Sequence, residues 1–149
     1  MGAEGRVSIR AGVEVEAEAL ARLSAECFGA GAWHEADFGE GDGRLLLVAH
    51  RGADLVGYAV VQCAADQAEL QAMAVNPAAR RGGIGRDLLE AAVAAARCDG
   101  AATMFLEVRE SNAGARAFYG QAGFRVCGRR ERYYREPAEA ALLMLLPLG

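Results

Sequence analysis

The sequence predicts a single mixed α/β domain whose sheet begins antiparallel and then turns parallel, with helices flanking it. Three observations carry this expectation. The apolar runs Arg44–His50, Leu55–Cys63 and Gln67–Val75 are separated by short turns, which makes them an antiparallel meander. A helical run then lies between Gln67–Val75 and the apolar stretch Thr103–Val108, so these two strands can be parallel neighbours. No linker, internal repeat or low-complexity segment divides the 149 residues, a length suited to one core.

In chain order, Val7–Arg10 is a short strand ended by Gly12. Val13, Ala17, Leu20, Ala21, Leu23 and Ala25 follow at helical spacing, and predict a helix from about Glu14 to Cys27. Its first turns hold Glu14, Glu16 and Glu18, where the helix dipole favours negative charge. Cys27–Gly43 is glycine-rich and irregular, with aromatic anchors at Trp33 and Phe38. A loop of this length suits the lining of a substrate groove; alternatively, Trp33 plugs the core. In Leu55–Cys63, Gly57 is either a weak point or a place of close approach. A helix runs from Gly83 to about Cys98, ended by Asp99-Gly100. Ser111-Asn112 caps a further helix, Ala113–Gln121, ended by Gly123. Phe124–Val126 begins a strand that extends past Gly128 toward Tyr133 and Tyr134, and Ala141–Leu146 is the last strand.

Composition narrows the function. A net charge of −4 argues against a general nucleic-acid binder and weakly allows a cationic substrate. No apolar run approaches the ~20 residues of a membrane span, and Met1–Arg10 lacks the apolar stretch of a signal peptide, so a cytoplasmic protein is expected. Cys27, Cys63, Cys98 and Cys127 are widely spaced and form no CxxC pair, as free cysteines do. His34 and His50 have no ligand spacing, so no metal is expected.

The most informative stretch is Leu70–Gly85. Leu70–Val75 is apolar enough for a buried strand, and Asn76-Pro77 ends it. Gly82, Gly83 and Gly85 then open a helix, with Arg80, Arg81 and Arg86 beside them. Helix N-termini carry free N–H groups and partial positive charge, and glycines let a ligand approach the backbone; together these suit a phosphate or pyrophosphate. No Gly-Lys-Ser/Thr follows, and the chain has no lysine at all, so this is not a Walker loop. The glycine spacing also differs from the dinucleotide fingerprint. Arg80-x-x-Gly83-x-Gly85 resembles the Gln/Arg-x-x-Gly-x-Gly/Ala motif of the GCN5-related N-acetyltransferases (GNATs), which bind acetyl-coenzyme A there.

A second stretch strengthens the resemblance. Leu106-Glu107-Val108-Arg109-x-Ser111-Asn112, then Ala115, Tyr119 and Gly123-Phe124, is similar to the RimI-type ribosomal-protein-alanine N-acetyltransferases. Arg129-Arg130, Tyr133-Tyr134 and Met144-x-x-Pro147 extend the likeness, which covers Leu70–Leu148 well and the first half loosely. Three departures stand out: Gly82 in place of a larger polar residue, an extra residue within Arg129–Tyr134, and Ala140 where an acidic residue is common. The last two bear on the peptide contacts.

The resemblance implies a central mixed sheet of about six to seven strands, splayed where acetyl-CoA enters. Main-chain groups of Met73, Ala74 and Val75 would pair with the pantetheine arm. Arg81, Gly82, Gly83, Ile84, Gly85 and Arg86 would hold the pyrophosphate. A main-chain N–H near Met73 or Ala74 would polarise the thioester carbonyl.

The chemistry needs a neutral amine, hence a base. Glu107 alternates with Leu106 and Val108, which places it on the opposite face of its strand. The resemblance implies that it is the general base; the alternative is an ion pair with Arg109, Arg116 or another arginine. Tyr119 is implied as the acid toward the leaving thiolate, or is a core aromatic beside Phe118. Asn112 caps its helix, touches the cofactor, or both. Trp33, Tyr133 and Tyr134 are the expected peptide groove. No nucleophilic serine or cysteine set is evident, which favours direct transfer in a ternary complex. The expected function is therefore acetylation of the N-terminal alanine of a ribosomal protein. The alternatives are other protein N-termini, lysine side chains, a small amine, or a non-catalytic acetyl-CoA-binding module. The sequence leaves oligomeric state open.

Overall fold

The computed structural model describes residues 7–12, 17–29, 32–39, 41–79, 82–135 and 138–149. Among these, seven strands form one sheet: β1 (Val7–Ala11), β2 (Arg44–Arg51), β3 (Asp54–Ala64), β4 (Gln67–Val75), β5 (Thr103–Arg109), β6 (Arg125–Arg135) and β7 (Ala138–Pro147). The helices are α1 (Ala17–Phe28), α2 (Ile84–Cys98) and α3 (Ala113–Gln121). The spatial order is β1-β2-β3-β4-β5-β7-β6. Only β4 and β5 pair in parallel; the other neighbours are antiparallel. The expected meander and the switch to a parallel pair are both present. Beyond β5 the sheet reverts to antiparallel, because the β6–β7 hairpin folds back and places β7 between β5 and β6.

Element boundaries differ modestly from those expected. The described part of α1 starts at Ala17; Glu14 and Glu16 lie outside the described residues. Strand β7 extends to Ala138 and Pro147, and β6 passes through Gly128 as one strand. The loop after α1 contains a 3₁₀ turn at Glu35–Phe38.

Each face of the sheet has its own core. Leu88, Leu89, Ala92 and Ala96 of α2 pack with Val61, Met104, Leu106 and Met144 on one face. Leu20 and Leu23 of α1 pack with Phe38, Val48, Tyr58 and Val60 on the other. Gly57 marks a close approach: a Cβ there would stand 2.8 Å from Leu88 Cδ1 and 3.0 Å from the Ala74 carbonyl oxygen.

One irregularity shapes the site. Val60 lies opposite Ala72 and Val61 opposite Leu70, which leaves Gln71 unopposed as a β-bulge. Ala68 and Leu70 therefore join the α2 core, whereas Ala72 and Ala74 face α1. Pairing of β4 with β5 covers only Gln67–Glu69 against Thr103–Phe105. The bulge follows at once, and β4 leaves β5. The expected splay is thus present, with a local cause.

Candidate active site

The β4–β5 ladder stops at Glu69, while β3 pairs the other side of β4 as far as Val75. Met73, Ala74 and Val75 are therefore placed where main-chain groups can meet an extended ligand. The Val75 carbonyl already accepts a contact from the Cys27 thiol, at 3.4 Å.

Above β4, a short 3₁₀ turn at Pro77–Ala79 leads to the start of α2. Gly83 is the N-cap residue of α2, with φ +80° and ψ 7°. That left-handed conformation costs a residue with a Cβ about 1–2 kcal/mol. Gly82 is exposed, and a Cβ on it would meet nothing closer than 3.7 Å. A Cβ on Gly85 would rest 3.5 Å from the Phe118 ring. Phe118 of α3 thus touches the glycine turn, whereas Tyr119 packs edge-on against Phe118 and Phe124 at 5.1 and 5.6 Å. The turn, Ile84 and Arg86 form the N-terminus of a helix of 15 residues, suited to a pyrophosphate. Arg80 and Arg81 lie outside the described residues. Asn112 does cap α3, its side chain accepting from the Ala115 N–H at 3.0 Å.

The opposite face of the splay carries a groove of about 720 Å³, lined by Trp33, Ala36, Asp37, Arg44, Glu69, Leu70, Gln71, Glu107, Tyr133 and Tyr134. All three expected peptide-groove residues meet Glu107 there. Strand β5 alternates as expected: Met104, Leu106 and Val108 are buried in the α2 core, and Glu107 faces the groove. Its Oε2 is buried and has no hydrogen-bond partner among the described residues. Its Oε1 stands 3.7 Å from Arg130, whose side chain is 60% exposed, a loose and solvated pair. Arg109 pairs with Glu139 at 3.2 Å, so of the expected alternatives for Glu107 the one present is an ion pair with another arginine, Arg130.

Trp33 packs against the core and also faces the groove. Its ring packs on Phe38 at 5.3 Å and also lines the groove. Its main-chain N–H donates to the buried Ser24 hydroxyl at 2.8 Å, which ties the loop to α1. Sequence reasoning missed Arg44 and Gln71, which hold this wall in place. Arg44 donates to the Asp37 carbonyl at 2.7 Å and to Gln71 Oε1 at 3.0 Å, and lies 5.5 Å over the Trp33 ring. A polar residue inside an apolar strand, Gln71 in Leu70–Val75, was the available signal.

The electrostatics divide by face. The Glu107 carboxylate raises the Tyr133 phenol pKa above its ordinary value. Burial, then the same charge, raises that of Tyr134. On the other face, burial pushes Tyr119 up to about 12, so its phenol keeps its proton at neutral pH. Glu107 and Tyr119 thus approach the splay from opposite faces of the sheet.

A sheet opened between two parallel strands, with a glycine turn and helix N-terminus at one mouth and, among the described residues, an unpartnered carboxylate oxygen at the other, is the arrangement expected of an acetyl-CoA-dependent N-acetyltransferase. Residues 16–124 match the Acetyltransferase (GNAT) family, and the chain belongs to that family. It is 36% identical over 121 residues to the [ribosomal protein bS18]-alanine N-acetyltransferase of Escherichia coli K12, covering 78% of this chain and 82% of that one. It is 34% identical over 146 residues to the N-alpha-acetyltransferase RimI of Mycobacterium tuberculosis, covering 93% and 90%. The crystal structure of the ribosomal-protein-S18-alanine N-acetyltransferase from Escherichia coli superposes with a TM-score of 0.89 at 31% identity, covering 97% of this chain and 95% of that one.

Proposed function

We propose that this enzyme acetylates the α-amino group of a protein N-terminus beginning with alanine, and that its acceptor is a ribosomal protein like those for which its relatives are named. The observation that carries the reading is the buried, unpartnered Oε2 of Glu107 at the floor of a groove walled by aromatic side chains. A buried carboxylate oxygen without a donor is costly. An incoming ammonium or a bridging water relieves that cost.

Acetyl-CoA supplies an activated thioester. The residues of this chain do the rest. Asp37, Glu69 and Glu107 make the groove acidic, while Arg44 is held by its hydrogen bonds, so a cationic N-terminus is drawn in. Glu107 accepts the proton of the bound ammonium, directly or through one water. An α-amine, with pKa about 7.7–8.0, gives up that proton far more readily than a lysine, at about 10.4. Main-chain N–H groups near Met73 or Ala74 polarise the carbonyl. Gly82, Gly83, Ile84, Gly85 and Arg86, with Arg81, hold the pyrophosphate, and Asn112 fixes the start of the helix that carries Tyr119. Tyr119 meets the leaving sulfur from the α3 side as a protonated phenol.

Coenzyme A release with an alanine-first, arginine-rich peptide tests this reading. Turnover that vanishes when the peptide N-terminus is blocked supports it. Turnover on small amines or blocked lysine peptides, with none on the free N-terminus, overturns the acceptor while leaving the fold and donor intact.

A further inference from the structure

The tyrosines of the groove sit where the sheet does least to hold them. Along β6 the ladder passes from Arg130 to Tyr134 while its partner β7 passes only from Ala141 to Glu139. Residues 131–133 bulge out of register and the ladder resumes at Tyr134, opposite Glu139, so main-chain pairing fixes the Tyr134 backbone but not its ring. A side-chain device does. The Arg109 guanidinium lies 4.2 Å from the centre of the Tyr134 ring, close enough for a strong cation–π contact. Arg109 is held in turn by Glu139 at 3.2 Å. Glu139 accepts from the Ser111 N–H at 2.9 Å and from the Ser111 hydroxyl at 3.0 Å. Ser111 lies just before α3, the helix that carries Tyr119. Glu139 is half-buried, and the Arg109 side chain is 33% exposed against 60% for Arg130 over Tyr133 at 5.4 Å, so the Arg109 contact is the closer and the less solvated of the two.

We propose that Arg109 is a positioning residue for the acceptor: anchored through Glu139 to Ser111, it fixes the Tyr134 ring as a wall of the groove and so sets affinity for the incoming N-terminus. The inference rests on the acceptor reading above. It gives Arg109 and Ser111, two members of the Leu106–Asn112 motif that the chemistry leaves unused, a task distinct from that of Glu107. Arg109 and Glu107 share one face of β5, so the strand that presents the base also presents the support of the wall.

The test uses the alanine-first peptide with the full chain. Peptide KM and kcat are measured by coenzyme A release, and coenzyme A Kd by calorimetry. Arg109→Met should raise peptide KM about tenfold, equivalent to about 1.4 kcal/mol, with kcat within about threefold and coenzyme A Kd unchanged. Arg109→Lys, which keeps the charge without the planar fork, should recover part of the loss. Tyr134→Leu should raise KM to a similar extent, and adding Arg109→Met to it should raise KM no further, since coupled residues are not additive. An unchanged KM in Arg109→Met, or an equal further rise in the Tyr134→Leu background, overturns the proposal. If Arg109→Met loses coenzyme A binding, and so has not folded, Glu139→Gln and Arg109→Lys decide: KM unmoved in both overturns it. Wild-type enzyme that neither turns over nor binds the peptide overturns the acceptor reading itself, and this proposal with it.

Discussion

The two mouths of the splay are built from different materials. The α2 mouth is made of backbone: the stretch of β4 beyond its ladder with β5, a left-handed Gly83 and the N-terminus of a helix. The groove mouth is made of side chains drawn from five separate parts of the chain: the loop after α1, the start of β2, β4 around its bulge, β5 and β6. On the proposed reading, backbone binds what is chemically constant, an amide arm and a pyrophosphate. Side chains read what varies, the acceptor. Substitutions at the two mouths should therefore separate donor binding from acceptor binding, and only residues at the junction should change the chemistry of both.

The junction residue gives the largest effect. Glu107→Gln keeps the shape and removes the base, and kcat should fall by about 10²–10⁴-fold with coenzyme A Kd unchanged, measured at saturating donor. Retained kcat would remove Glu107 from the chemistry. Tyr119→Phe should lower kcat by about 10–10²-fold. Its pH behaviour sharpens the point. With its pKa raised from 10.0 to about 12, Tyr119 does not titrate in the wild type below pH 10, so no alkaline limb at pH 8–9 arises from it. The same shift has a sign for stability. The folded pKa lies above the unfolded one, so the contribution is present below pH 10 and is lost as pH rises toward about 12. Tyr119→Phe should flatten that alkaline loss in a thermal melt.

Gly83→Val tests the backbone mouth. A β-branched residue resists the φ of +80° that the turn requires, so coenzyme A Kd should rise about tenfold with peptide KM little changed. Trp33→Ala tests the other mouth and should give the reverse: peptide KM up severalfold, coenzyme A Kd unchanged. A Trp33→Ala variant that weakened coenzyme A as much as peptide would break the division between the mouths.

The same division explains what could be read from the sequence. The backbone mouth was legible because its signal is local: Pro77 to end the strand, Gly82, Gly83 and Gly85 to let a ligand approach the backbone, an apolar helix behind. Glu107 was legible because strand periodicity alone sets its face. Trp33, Tyr133 and Tyr134 were legible as aromatic anchors, but their meeting with Glu107 depends on two bulges. The bulge at Gln71 reverses the faces of β4, and the one between Arg130 and Tyr134 absorbs the residue that appeared surplus in the sequence. The polar Gln71 and the surplus residue before Tyr134 were visible in the sequence, but neither says which residue is left unopposed, since a bulge is set by how two strands pair. For the same reason the roles of Arg44, Arg109 and Glu139 emerged only in three dimensions: each acts on a partner at least 25 residues away.

The central claim is that donor and acceptor enter from opposite mouths and meet between β4 and β5. Calorimetric binding of coenzyme A joined through an acetyl spacer to the N-terminus of an alanine-first peptide tests it most directly. The account predicts that the conjugate binds at least about a hundredfold more tightly than coenzyme A alone, because the second contact becomes intramolecular, and that Gly83→Val and Trp33→Ala each remove part of the gain. A conjugate that binds no better than coenzyme A, or whose gain is indifferent to Trp33, would contradict it.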